Sequence, residues 1–139
     1  MVKDIIKDGS ILSQKCEKAT EADTDVIQDL LDTIGSLEEA ACLAANQIGV
    51  TKAIGVYRDE NDEVHVVMNP VIRKALYPMR TYEECFSHDE DSKVTRYGWC
   101  QIEMDEIVDG KLVHRRREFE ARDAQVVQHL IDHCKGKLV

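Results

Sequence analysis

The stretch from about Ala121 to Lys135 constrains the chain more than any other segment. Ala124, Val127, Ile131 and Cys134 fall on one stripe at helical spacing, and Gly136 follows as a stop. This predicts a C-terminal helix with a core-facing side. His129 and His133 lie four residues apart on it, so both rings leave the same face one turn apart. Two imidazoles so placed can chelate one tetrahedral metal ion. An H-x-x-x-H pair also arises by chance, so the pair needs a third ligand before it means a site.

The rest of the sequence supplies the frame for that helix. A second helix begins near Asp23 or Thr24, either of which can cap it. Ile27, Leu30, Leu31 and Ile34 give it an apolar face, and Gly35 is its expected stop. Lys52 to Tyr57 and Val64 to Met68 read as short strands around the polar turn 58–63. Cys100, Ile102 and Met104 alternate with Gln101, Glu103 and Asp105, the period of a half-buried strand. The turn dipeptide Asp109-Gly110 then returns the chain through Leu112 to Phe119. The expected fold is α+β: small mixed or antiparallel sheets packed around the C-terminal helix, with another helix near the N-terminus.

Size and charge narrow the function. With 139 residues, the chain is expected to form one domain, 1–139, with its own core. A net charge of −9 argues against a nucleic-acid partner, which would require clustered cations. Arg115 to Arg117 is the one dense basic run, and a solvated strand edge accounts for it. No apolar run has membrane-spanning length, and no signal peptide precedes the first helix. Five cysteines at wide spacing, an odd number, fit reduced thiols in a cytoplasmic protein.

Cys85 is the candidate third ligand. One thiolate with two histidines leaves a fourth position open, which marks catalytic rather than structural sites. Read alone, Cys85 is better taken as a small buried hydrophobe. His65, His114 and His88 read as surface residues, Trp99 as core or cleft wall, and Cys16, Cys100 and Cys134 as packing residues.

Three motifs in order decide between these readings. Ala40-Ala41-Cys42-Leu43-Ala44-Ala45-Asn46-Gln47, then Glu83-Glu84-Cys85-Phe86-Ser87, then Gln128-His129-Leu130-Ile131-Asp132-His133 resemble the G-x-G-x-A-A-x-Q, E-G-C-x-S and Q-H-E-x-D-H motifs of the peptide deformylases. Met68-Asn69-Pro70, the Asp109-Gly110 turn and the trailing Gly136-Lys137-Leu138 extend the resemblance over nearly the whole chain.

The resemblance implies one divalent ion on Cys85, His129 and His133: iron(II) in the cell, with zinc, nickel or cobalt in purified protein. It implies that Gln47 and the backbone N–H of Phe86 stabilise the oxyanion formed when water attacks a formyl carbonyl. Asp132 would orient a ligand histidine or the helix. Ala41, Cys42 and Glu84 would line the peptide groove. The implied substrates are N-formylmethionyl peptides, and formate is released.

Three positions depart from the pattern. Leu130 stands where the family carries the glutamate that moves protons between the attacking water and the leaving amine, work a leucine cannot do. Ala40 and Cys42 replace the two glycines of the first motif, and Glu84 replaces the glycine before Cys85. The implied activity is therefore impaired or lost. The alternatives are a deformylase that works through metal hydroxide or Glu84, and a non-catalytic binder of N-terminal methionine peptides.

Overall fold

The computed structural model describes residues 1–85, 87 and 92–139. The elements run α1 (Gly9–Leu12), α2 (Thr24–Ser36), β1 (Cys42–Ala44), β2 (Ile54–Arg58), β3 (Val64–Glu83), β4 (Ser92–Val108), β5 (Lys111–Glu120) and α3 (Ala121–Cys134). Short 3₁₀ turns at Glu21–Asp23 and Ala45–Ile48 join them.

All five strands form one antiparallel sheet in sequence order. The expectation of several small, partly mixed sheets is thereby simplified. The sole parallel pairing among the described residues is the isolated bridge Glu17–Lys52.

The pleat divides the core between the two long helices. Leu30 and Ile34 of α2 pack with Leu43, Ile54, Val56 and Met68. Ala124, Val127, Leu130 and Ile131 of α3 pack with Tyr57, Val67, Cys100, Ile102 and Met104. Neighbours such as Val56 and Tyr57, or Val67 and Met68, go to opposite clusters because successive strand side chains alternate. The alternation read in Cys100, Ile102 and Met104 is thus the α3-facing side of β4.

The main surprise is the length of β3. The hydrophobic pattern stops at Met68, and Pro70 and Pro78 follow, yet the strand runs 20 residues to Glu83. Beyond Met68, β3 pairs only with β4, so a proline nitrogen can face an unpaired edge without losing a ladder bond. The register shifts between Met68 and Val71, where Asn69 sits at φ 50°. That irregularity absorbs Pro70. The long β3–β4 ribbon carries Glu83 to Cys85 back to α3.

The helix ends follow the sequence closely. Helix α2 includes Gly35 and stops one residue later, at Ser36. Helix α3 closes at Gly136, φ 79°. The N–H of Gly136 donates to His133 O, and that of Lys137 to Asp132 O at 2.9 Å, the double bond of a left-handed C-terminal cap. A Cβ on Gly136 would stand 2.6 Å from Ser13 O, so glycine is required both for its φ and for the close approach. The run Arg115 to Arg117 lies on the outer strand β5 and pairs with Glu106 and Glu103 of β4. It is the solvated edge the sequence suggested.

Candidate metal centre

Helix α3 presents His129 and His133 toward the end of β3, both buried. Their Nε2 atoms are 3.0 Å apart, and Cys85 Sγ is 3.5 Å from His133 Nε2. The three donor atoms lie within 4.8 Å of one another. A tetrahedral centre with metal–nitrogen bonds of about 2.0–2.1 Å and a metal–sulfur bond of about 2.3 Å spaces its ligands about 3.3 and 3.6 Å apart. The donor set fits one ion.

A second group meets the same distance criterion: Asp59, Glu63 and His65 in the β2–β3 turn. His65 Nε2 and Asp59 Oδ2, 2.7 Å apart, form a half-buried pair, with the His65 ring stacked on Tyr57. His114 is exposed, against Asp105 and Glu103. His114 is a surface residue, as read from the sequence, and His65 is half-buried. Cys100 and Cys134 are buried and Cys16 half-buried.

An ionic network holds the site from behind. Arg96, on β4 and buried, donates through Nε and Nη2 to both Glu83 oxygens at 2.9 and 2.7 Å. Its Nη1 reaches Asp132 Oδ2 at 2.7 Å. Glu83 Oε1 is 2.8 Å from His129 Nδ1. Burial alone would raise the Glu83 pKa, but the hydrogen bonds to His129 and Arg96 outweigh it and hold the carboxyl at about 2. Burial works against the His129 imidazolium, yet the hydrogen bonds with Cys85 and Glu83 push its pKa up to about 9.

The sequence expectation for Asp132 is that it orients a ligand histidine or the helix. Its carboxylate takes Arg96 of β4, and Glu83 is the residue that meets His129. Glu83 and Arg96 both lay outside the expected site. Glu83 opens the second motif, so its position offered a hint. Nothing local marks Arg96, because its partners are 13 and 36 residues away.

Gln47 is brought in by the first motif. Ala44 N–H donates to Gln47 Oε1 at 2.9 Å, which turns Nε2 toward Cys85 Sγ at 3.3 Å and Ser87 Oγ at 3.1 Å. Asn46 Nδ2 ties the same turn to His133 O at 2.9 Å. The Phe86 backbone N–H and His88 lie outside the described residues.

Leu130 is 1 % exposed and sits in the α3-side core. Its methyls press on Gly55, where an added Cβ would come within 2.8 Å of Cδ2. Glu84 is exposed and outside the donor set. It lines a pocket of about 370 Å³ with Ala41, Cys42, Arg122, Gln125 and His129. The three groove residues expected from sequence therefore meet at one cavity. Burial, with the charges of Cys85 and Glu83, pushes the Cys42 thiol up to about 12.

An antiparallel sheet gripping a C-terminal helix, with one cysteine and two histidines at their junction, makes an α+β protein with a candidate metal centre. The family model for polypeptide deformylase matches residues 2–139. A peptide deformylase of Clostridium beijerinckii is 39% identical over 140 residues, covering all of both chains. Peptide deformylase 2 of Vibrio cholerae is 35% identical over 116 residues, 81% of this chain and 67% of that protein.

Among solved structures, the peptide deformylase of Thermus thermophilus superposes with a TM-score of 0.85 at 27% identity, covering 99% of this chain and 83% of that one. A Met-Ala-Ser-bound peptide deformylase of Acinetobacter baumannii, 19% identical with a TM-score of 0.85 and covering 99% and 97%, shares the fold. The chain belongs to the peptide deformylase family, which is metal-dependent.

Proposed function

We propose that this chain holds one divalent ion, iron(II) in the cell, on Cys85, His129 and His133, and binds N-formylmethionyl or free N-terminal methionine peptides against it. Formyl hydrolysis by this chain is slow or lost. The carrying observation is that Leu130, packed into the core against Gly55, stands at the position where the motif resemblance puts the proton-transferring carboxylate.

Glu83, the buried carboxylate beside the donor set, is not suited to that role. Glu83, hydrogen-bonded to His129, has both oxygens engaged by Arg96 and a pKa held at about 2, far below the range that suits a base near neutrality. What the ion supplies when bound is Lewis-acid polarisation. Gln47, fixed by Ala44 N–H, presents amide N–H donors to the donor set and would meet a developing oxyanion. Glu83 would fix the His129 tautomer and ring direction. The peptide-bound neighbour of the same fold supports an N-terminal methionine peptide as the ligand.

The test compares formate release from a formylmethionyl peptide by the nickel-loaded parent and by Leu130→Glu, with metal content and thermal unfolding measured on both. The parent should run at least about 10²-fold slower than the variant, because only the variant carries a general base. Comparable rates in two folded, metal-bearing proteins would overturn the assignment. They would favour a working enzyme with Glu84 as base, since that residue shares a cavity with His129. Glu84→Gln would then abolish turnover.

A further inference from the structure

The cavity beside His129 is not an apolar slot. Ala41, Cys42, Tyr82 and Val126 form part of its wall, but Arg122, Gln125 and Glu84 border it too, beside Glu83 and His129. Arg122, Gln125, Val126 and His129 follow one another along one side of α3 at helical spacing. The Arg122 guanidinium leans toward β1 and β2 and spends one N–H on Arg58 O at 3.3 Å. Among the described residues it makes no ion pair, and its charge reaches the Cys42 thiol. A guanidinium carries five N–H donors, and Arg122 borders the cavity with most of them unspent on the described residues. Arg122 and Glu84 are exposed, and Gln125 is half-buried.

This wall sets what can fill the space. A peptide whose first amide lies at Cys85, His129 and His133 projects its first side chain into the adjoining cavity, and about 370 Å³ accommodates a side chain of methionine length. A thioether offers the donors of Arg122 and Gln125 only a weak acceptor. A carboxylate would be drawn to Arg122 and repelled by Glu84. A neutral side chain ending in a strong acceptor satisfies the donors without that repulsion.

We propose that Arg122 and Gln125 make this cavity select an N-terminal methionine oxidised to the sulfoxide over the unoxidised residue. The proposal rests on the reading of the centre as a binder of N-terminal methionine peptides. The sulfoxide keeps the length of methionine and adds a polar oxygen at the δ position, a strong acceptor for the donors of the two residues that border the cavity. Arg122 and Gln125 then act as specificity determinants for the side chain, not on the reacting atoms.

Binding of three formylated tripeptides to the nickel-loaded protein tests it by calorimetry. They begin with methionine, methionine sulfoxide and norleucine and are otherwise identical. The sulfoxide peptide should bind about tenfold tighter than the other two, the size expected of one or two partly exposed hydrogen bonds. Arg122→Leu with Gln125→Leu should erase that preference, the sulfoxide peptide then binding no tighter than the norleucine peptide. Arg122→Lys should keep part of it. Equal or tighter binding of the methionine peptide, or a preference that survives the double variant, overturns the proposal and leaves the peptide-binding assignment standing. If none of the three peptides binds a protein that holds its nickel, both fall together.

Discussion

Glu83→Gln isolates the part of the centre that sequence spacing could not reveal. In the metal-free protein the Glu83 carboxyl is held at about 2 against an ordinary value of 4.5, burial being outweighed by His129 and Arg96. The difference corresponds to about 3 kcal/mol of preferential stabilisation of the charged form. A depressed acid stabilises the fold above its unfolded pKa, and that contribution is lost as pH falls through the folded one. The parent should therefore lose about 3 kcal/mol between pH 4.5 and pH 2 through this group, and Glu83→Gln should lack that slope.

At pH 5 the variant should be less stable by about the same amount, since a neutral amide satisfies Arg96 poorly and leaves it buried. For a domain of this size that is about 10 °C in Tm. Urea titrations with chelator present, from pH 5 down to pH 2.5, give the difference directly. It should shrink steadily as the parent's Glu83 protonates. A stability difference that stays constant over this range, or no difference at pH 5, would refute the argument.

Metal uptake should release protons, because the His129 imidazolium, pushed up to about 9, must give up its proton to become a ligand. Affinity for nickel should rise between pH 6 and pH 8, and calorimetry in two buffers of different ionisation enthalpy reads the proton count; a pH-independent affinity would contradict it. In the metal-free protein the same group contributes stability below pH 6.5 that fades as pH approaches 9. Gly136→Ala should destabilise by about 2–4 kcal/mol in denaturant unfolding, combining positive φ with a Cβ 2.6 Å from Ser13 O. Gly136→Asn should recover little, because asparagine relieves only the backbone strain.

How much the sequence held depended on the range of the interaction. Period-2 and period-3.6 patterns located α2, α3 and the alternating part of β4, because burying one face of an element leaves its mark on that element alone. Gly136 marked the end of α3 for the same reason. His129 and His133 were legible because a helix fixes their separation in advance. Cys85 and Gln47 were legible only through the resemblance of their motifs.

Tertiary structure decided the rest. Pairing with β4 carried β3 past two prolines to Glu83, where local propensity would have ended it. The Arg96 bridge between Glu83 and Asp132 joins three elements whose separations leave no local signature. The sequence by itself determined which helix carries the histidines and that Leu130 is no base. Only the fold decided that Glu83 faces His129, that Leu130 is wedged on Gly55, and that Arg122 borders the same cavity. Contacts within one element repeat at its period, and contacts between elements do not.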